Sequence, residues 1–178
     1  MRIECCAAEL PKAPGHPNRL PFLGILAIVD EPSDKAPGGA RCHNVIMTRQ
    51  CAVEGLPSLI GMSVNTSADY SGHDAKRKLG VITKAYMLGN RIIVKGFLYA
   101  LDWKREIRAM RKKKLGMSYE LNEARIEDMR ENNWKITKAH FVGAAVQMVE
   151  KSAYLKSRFW IANGKLATVN QEINAENN

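Results

Sequence analysis

Four cysteines in 178 residues, at positions 5, 6, 42 and 51, do not form the two close pairs that a structural zinc site requires. Each therefore reads as a reduced thiol, and neither a metal nor a cofactor is expected. No stretch reaches the roughly 18 consecutive apolar residues that a membrane helix needs. The longest apolar block, LPFLGILAIVD, stops too soon. Residues 1–16 carry Glu4 and Glu9 and lack the basic start and apolar run of a secretory signal, so a soluble cytosolic protein is expected. There is no internal repeat. A GxSxG elbow is missing too: in GMSYE, Glu120 stands where the second glycine would fall, which argues against a lipase or esterase of the usual fold.

Hydrophobic residues at 46% and charged residues at 25% are the proportions of an ordinary globular chain, and the length suits one core. The proline-rich segment PKAPGHPNRLP marks residues 1–20 as an N-terminal arm. Residues 21–164 form the expected single domain, and 165–178 a polar tail.

The formal charge of +9 is unevenly placed. Lys104 to Lys114 holds seven bases against Glu106 alone, whereas Glu120 to Glu131 holds five acids against two bases. Such a field can dock an acidic protein or nucleic acid, or simply face solvent. Aromatic residues, at 7%, are too few for a convincing base-stacking platform, so nucleic acid is not expected as a specific ligand.

LGILAIVDE has the length of a buried strand, and CHNVIMTR reads as a second. EGLPSLIGMSVNTSADYSGHDAKRKLG reads mostly as loop, with His73 near its end. Two β-branched stretches around LGN predict a hairpin over 81–99. Trp103, Ile107 and Met110 put one apolar stripe beneath a basic helix of about three turns. In LGMSYEL the period changes to two: Leu115, Met117, Tyr119 and Leu121 share one face, and Gly116, Ser118 and Glu120 the other. Gly116 beside Ser118 leaves room for an approaching group. WKITKAHFVGAAVQM is a further strand bending at Gly143, with His140 on the face of Trp134, Ile136 and Lys138. EKSAYLK reads as a short helix and SRFWIAN as the last strand. The fold class is α+β, with a curved or closed, mainly antiparallel sheet of six or seven strands.

A serine hydroxyl becomes a nucleophile when an imidazole accepts its proton and a third group fixes that imidazole's tautomer. Of the four histidines, His16 lies in the arm and His43 in a candidate strand. His73 and His140 lie around the Ser118 strand. A serine and a histidine 45 residues apart are common by chance, and from the residues alone an exposed strand serine is the simpler reading of Ser118.

The run LIGMSVN, GHD, LGVITKAYMLGNRIIVKGFLYALD, IRAMRKKKLGMSYEL and ITKAHFVGAAVQMVEKSAY resembles the prohead, or capsid maturation, serine proteases of tailed bacteriophages. In that family a histidine precedes a strand and a hairpin, a short helix follows, and the next strand bears the nucleophile. The likeness covers roughly residues 55–155. It implies an assemblin-like barrel with peripheral short helices, and a serine endopeptidase that works through an acyl-enzyme on scaffold protein, major capsid protein and itself. The place of action it implies is the immature capsid in the host cytoplasm. Carried over by position, Ser118 is the nucleophile, His73 the general base and His140 the orienting residue, with Glu120 a further possibility and Asp74 well behind. Backbone amides around Gly143 and Ala144 are candidate oxyanion donors. The resemblance also allows a homodimer, and a catalytically inactive assembly or scaffold-binding protein of the same fold is the alternative.

Overall fold

The computed structural model describes residues 15–162. Eight strands of one curled, open sheet form a half-barrel, with two short helices outside it. The first strand, β1 (Leu20–Ile28), is buried from Phe22 onwards. This run lacks polar alternation because the sheet curls over it: a Cβ on Gly24 would strike Met117 of a strand across the curl.

Strand β2 (Asn44–Met47) is shorter than the sequence suggests, since Thr48 ends it and caps helix α1 (Arg49–Gly55). Thr48 Oγ1 accepts the Cys51 amide at 3.1 Å, a cap worth about 1 kcal/mol. A 3-10 turn (Leu56–Leu59) and strand β3 (Ser63–Asn65) follow, where the sequence reads mostly as loop. The expected hairpin is present as β4 (Lys78–Leu88) and β5 (Arg91–Leu98), turning at Gly89 with φ 58°. Helix α2 (Lys104–Met110) has two turns rather than three. Strands β6 (Leu115–Ile126) and β7 (Asn133–Met148) form a long antiparallel pair, and β8 (Arg158–Ile161) pairs with β1. The expected helix at EKSAYLK is a single 3-10 turn, Val149–Lys151.

The order along the sheet is β2, β7, β3, β4, β5, β1, β8, with β6 on β7. Not every pair is antiparallel: β7 runs parallel to both β2 and β3. This threading brings β3, β6 and β7 side by side, with Asn65 and Ser118 both opposite Ala145. The sheet is thus curved, open and mixed. Among the described residues no helix is long and apolar enough to cross a membrane.

Of the cysteines, Cys51 is buried, Cys42 is exposed, and both are free. Cys5 and Cys6 lie outside the described residues, as do most of the expected arm and all of the expected tail. Asn18, in the last residues before β1, bonds Asp102 and the Leu101 amide.

Candidate active site

A cleft of about 810 Å³ is lined by Ser118 and Glu120 of β6 and by His73 of the loop between β3 and β4. Period two puts Ser118 and Glu120 on one face of β6, and His73 arrives above them. His73 Nδ1 lies 2.5 Å from Glu120 Oε1, with both side chains about a third exposed or less. With that nitrogen donating to the carboxylate, Nε2 is left to accept a proton. Two strand residues i and i+2 stand roughly 7 Å apart, about the span of an imidazole with a hydrogen bond on each side. Ser118 is half-buried, and no hydrogen bond joins it to His73.

Glu120 is held from two further directions. Asn65 Nδ2 donates to Glu120 Oε1 at 3.4 Å, while Asn65 Oδ1 accepts the Asp74 amide at 3.2 Å. One fully enclosed amide therefore ties the carboxylate to the backbone next to His73. Across the strand pair, Gly143 supplies space for the same carboxylate. Asn65 was not singled out by the sequence. Its only signal is a polar residue after Val64 in the short strand SVN, and its partners come from other segments.

The His73 loop is fixed by its own short contacts. Ser67 and Ser71 hydroxyls both donate to Asp69 Oδ1, at 2.7 and 2.8 Å, and these bonds hold the Asp69 carboxyl down at a pKa of about 2. Ser67 Oγ accepts the Ser71 and Gly72 amides. Tyr70, at φ 60°, reaches helix α2 with its hydroxyl on the Glu106 carbonyl, and its own carbonyl accepts the Met148 amide. Lys113 lies over its ring. Asp74 turns away from His73 and accepts the Lys76 amide at 2.9 Å, an Asx-turn that starts the run into β4.

His140 is not brought to this cleft. It stands opposite Asn122, well along β6 from Ser118, and its Nδ1 faces Glu123 Oε2 at 3.2 Å on an exposed surface. The expected face is also reversed. Between Ile136 and Lys138, β7 takes two steps against one on β6, so Trp134 and Ile136 are buried while His140 shares solvent with Lys138. His16 bonds the Asn18 amide, and His43 stacks on Trp134 at 4.6 Å.

Gly116 does not leave the opening its position suggests. A Cβ there would meet the Ser157 and Ser152 hydroxyls, both fully buried, and Ser157 Oγ accepts the Met117 amide at 3.2 Å. The open side of Ser118 lies toward the other end of the strand. There Leu121, Ile126, Met129 and Trp134 make an apolar floor, and the loop from Lys35 to Arg41, with Gly38 and Gly39, forms the far wall.

The acidic block of the sequence is largely neutralised locally. Glu120 faces His73, Glu123 faces His140, Glu127 pairs with Lys135 and Asp128 with Arg130. In the basic helix Glu106 is taken by Arg77. Lys104, Arg105, Arg108, Lys112 and Lys114 are exposed and in no ion pair among the described residues.

No family model matches this chain. No curated protein matches it either.

Proposed function

We propose that the chain is a serine endopeptidase with Ser118 as nucleophile, His73 as general base and Glu120, not His140, as the group that orients His73. The observation that carries this reading is the His73–Glu120 contact at 2.5 Å in a cleft that Ser118 also lines. Substrate binding brings the Ser118 hydroxyl to His73 Nε2, which takes its proton as the oxygen attacks the scissile carbonyl. The imidazolium, stabilised by Glu120, then protonates the leaving amine. Water attacks the resulting ester, with His73 again taking and returning the proton. The apolar trough beyond Leu121 holds the substrate segment next to the cleaved bond.

The resemblance to prohead proteases supplies the substrate class: scaffold and capsid proteins inside an immature capsid, and the chain's own ends. The basic face of α2, in no ion pair among the described residues, suits that setting, since it attracts an acidic scaffold.

The missing Ser118–His73 hydrogen bond favours a second reading, a non-catalytic assembly protein of the same fold. In unliganded hydrolases this bond is often long and tightens with substrate, which is why catalysis is preferred. The test is intact-mass analysis of folded wild type and Ser118→Ala, incubated alone, with an acidic scaffold-type protein and with denatured casein, alongside fluorophosphonate labelling. Products and a label on wild type, both absent from Ser118→Ala, are expected. Uncut, unlabelled wild type would overturn the enzyme reading in favour of the second.

A further inference from the structure

A second cavity, of about 300 Å³, opens where β1 ends beside the β4–β5 turn, and it shares no lining residue with the Ser118 cleft. Its walls are Ile28, Asn90, Arg91, Lys156 and Arg158. Three of the five side chains are cationic. Arg91 is only 9% exposed, and its Nη1 is enclosed without a hydrogen-bond acceptor among the described residues. A buried guanidinium N–H without an acceptor is costly, and structures keep such groups where something else supplies the acceptor.

The neighbouring groups are arranged so that they do not supply it. Glu31, the adjacent carboxylate, accepts from Asn90 Nδ2 at 2.7 Å with one oxygen and from Lys156 Nζ at 2.9 Å with the other. Asp30 is paired with Arg49. Arg158 donates through Nη1 to the Leu155 and Ser157 carbonyls, which fixes its guanidinium at the rim. Two guanidiniums and an ammonium therefore line one small cavity, and the described carboxylate beside it, Glu31, is already engaged. We propose that this cavity binds one oxyanion group, a phosphate or a carboxylate, with Arg91 Nη1 as the buried donor and Lys156 and Arg158 at its mouth. The planar guanidinium fork suits either group, because both present two oxygens at matching separation.

Arg91→Met separates the proposal from a general attraction of anions to a basic protein. Without the anion, wild type carries the cost of the enclosed N–H and the variant does not, so the variant melts at the same temperature or higher. With inorganic phosphate or acetate, each compared with chloride at equal ionic strength, wild type melts higher, by roughly 5–10 °C at a hundredfold excess over Kd. Arg91→Met does not respond. Lys156→Met, at an exposed position, keeps the fold and has a smaller response. A control with Lys112 and Lys114 changed to Gln keeps the full response. A response to phosphate alone identifies a phosphate ester as the natural group, and a response to acetate identifies a carboxylate. Wild type that melts alike in all three salts overturns the proposal, as does a response that survives undiminished in Arg91→Met.

Discussion

Gly143 stands directly across the β6–β7 pair from Glu120, and a Cβ built on it would lie 2.9 Å from Glu120 Oε2. The glycine is needed for its lack of a side chain: any larger residue moves the carboxylate that faces His73. Gly143→Ala is expected to fold and to lose about 10–100-fold in kcat, the usual cost of displacing an orienting group by a fraction of an ångström to one ångström. Peptide turnover with a circular-dichroism control checks this. Unchanged turnover would show that Glu120 tolerates displacement.

Glu120 and His140 separate under mutation. Glu120→Gln keeps the shape but loses the charge opposite His73, and under the proposed mechanism turnover is expected to fall by up to about 10⁴-fold. His140→Ala, on an exposed strand face, is expected to leave turnover within about twofold of wild type and stability within about 0.5 kcal/mol. The reverse ranking would restore His140 as the orienting residue.

Removing the Asn65 amide leaves the Asp74 N–H without its acceptor and takes one donor from Glu120, in an enclosed place. Asn65→Ala is expected to cost about 1–3 kcal/mol and to lower the melting temperature by several degrees. It also lowers turnover through His73, so both readouts move together.

The loop that carries His73 has its own acid limit. Asp69 is held at about 2 in the folded chain against 3.8 in the unfolded one, because the Ser67 and Ser71 hydroxyls donate to its charged form. A lowered folded value means that this contribution is fully present above pH 3.8 and is lost as pH falls through about 2. Amide exchange at Ser71 and Gly72 is expected to stay protected at pH 4 and to open near pH 2. Asp69→Asn opens it at neutral pH.

Lys113 supports Tyr70, so a test of the basic face leaves it in place. Changing Arg108, Lys112 and Lys114 to Gln is expected to leave short-peptide turnover intact. The same change weakens capture of an acidic scaffold protein, most visibly at low salt, where unscreened charge acts furthest. Equal capture by variant and wild type would remove the docking role.

Local pattern made much of this legible. The 81–99 hairpin follows from two β-branched runs around a turn, and the shared face of Ser118 and Glu120 follows from period two alone. Features that depend on register were not legible. The extra β7 step near Thr137 reverses His140's face, and no local signal announces it. The space beside Gly116 looked open because the serines that fill it come from a segment some forty residues later. Helix α1 was missed because its stabilising face, Cys51 and Ala52, is short, and its cap is a threonine that also suits a strand.

β7 pairs in parallel with two strands laid down much earlier, β2 and β3, and antiparallel with its neighbour β6. Pairings between distant parts of a chain are the slowest to close during folding, because loop entropy must be overcome before any contact repays it. Ser118 and His73 leave the ribosome before β7 does, yet the floor beneath Glu120 is β7 itself. A nascent chain that ends short of Gly143 therefore lacks the strand against which the Glu120 carboxylate packs, and the His73–Glu120 contact waits for its backing until synthesis has passed that point.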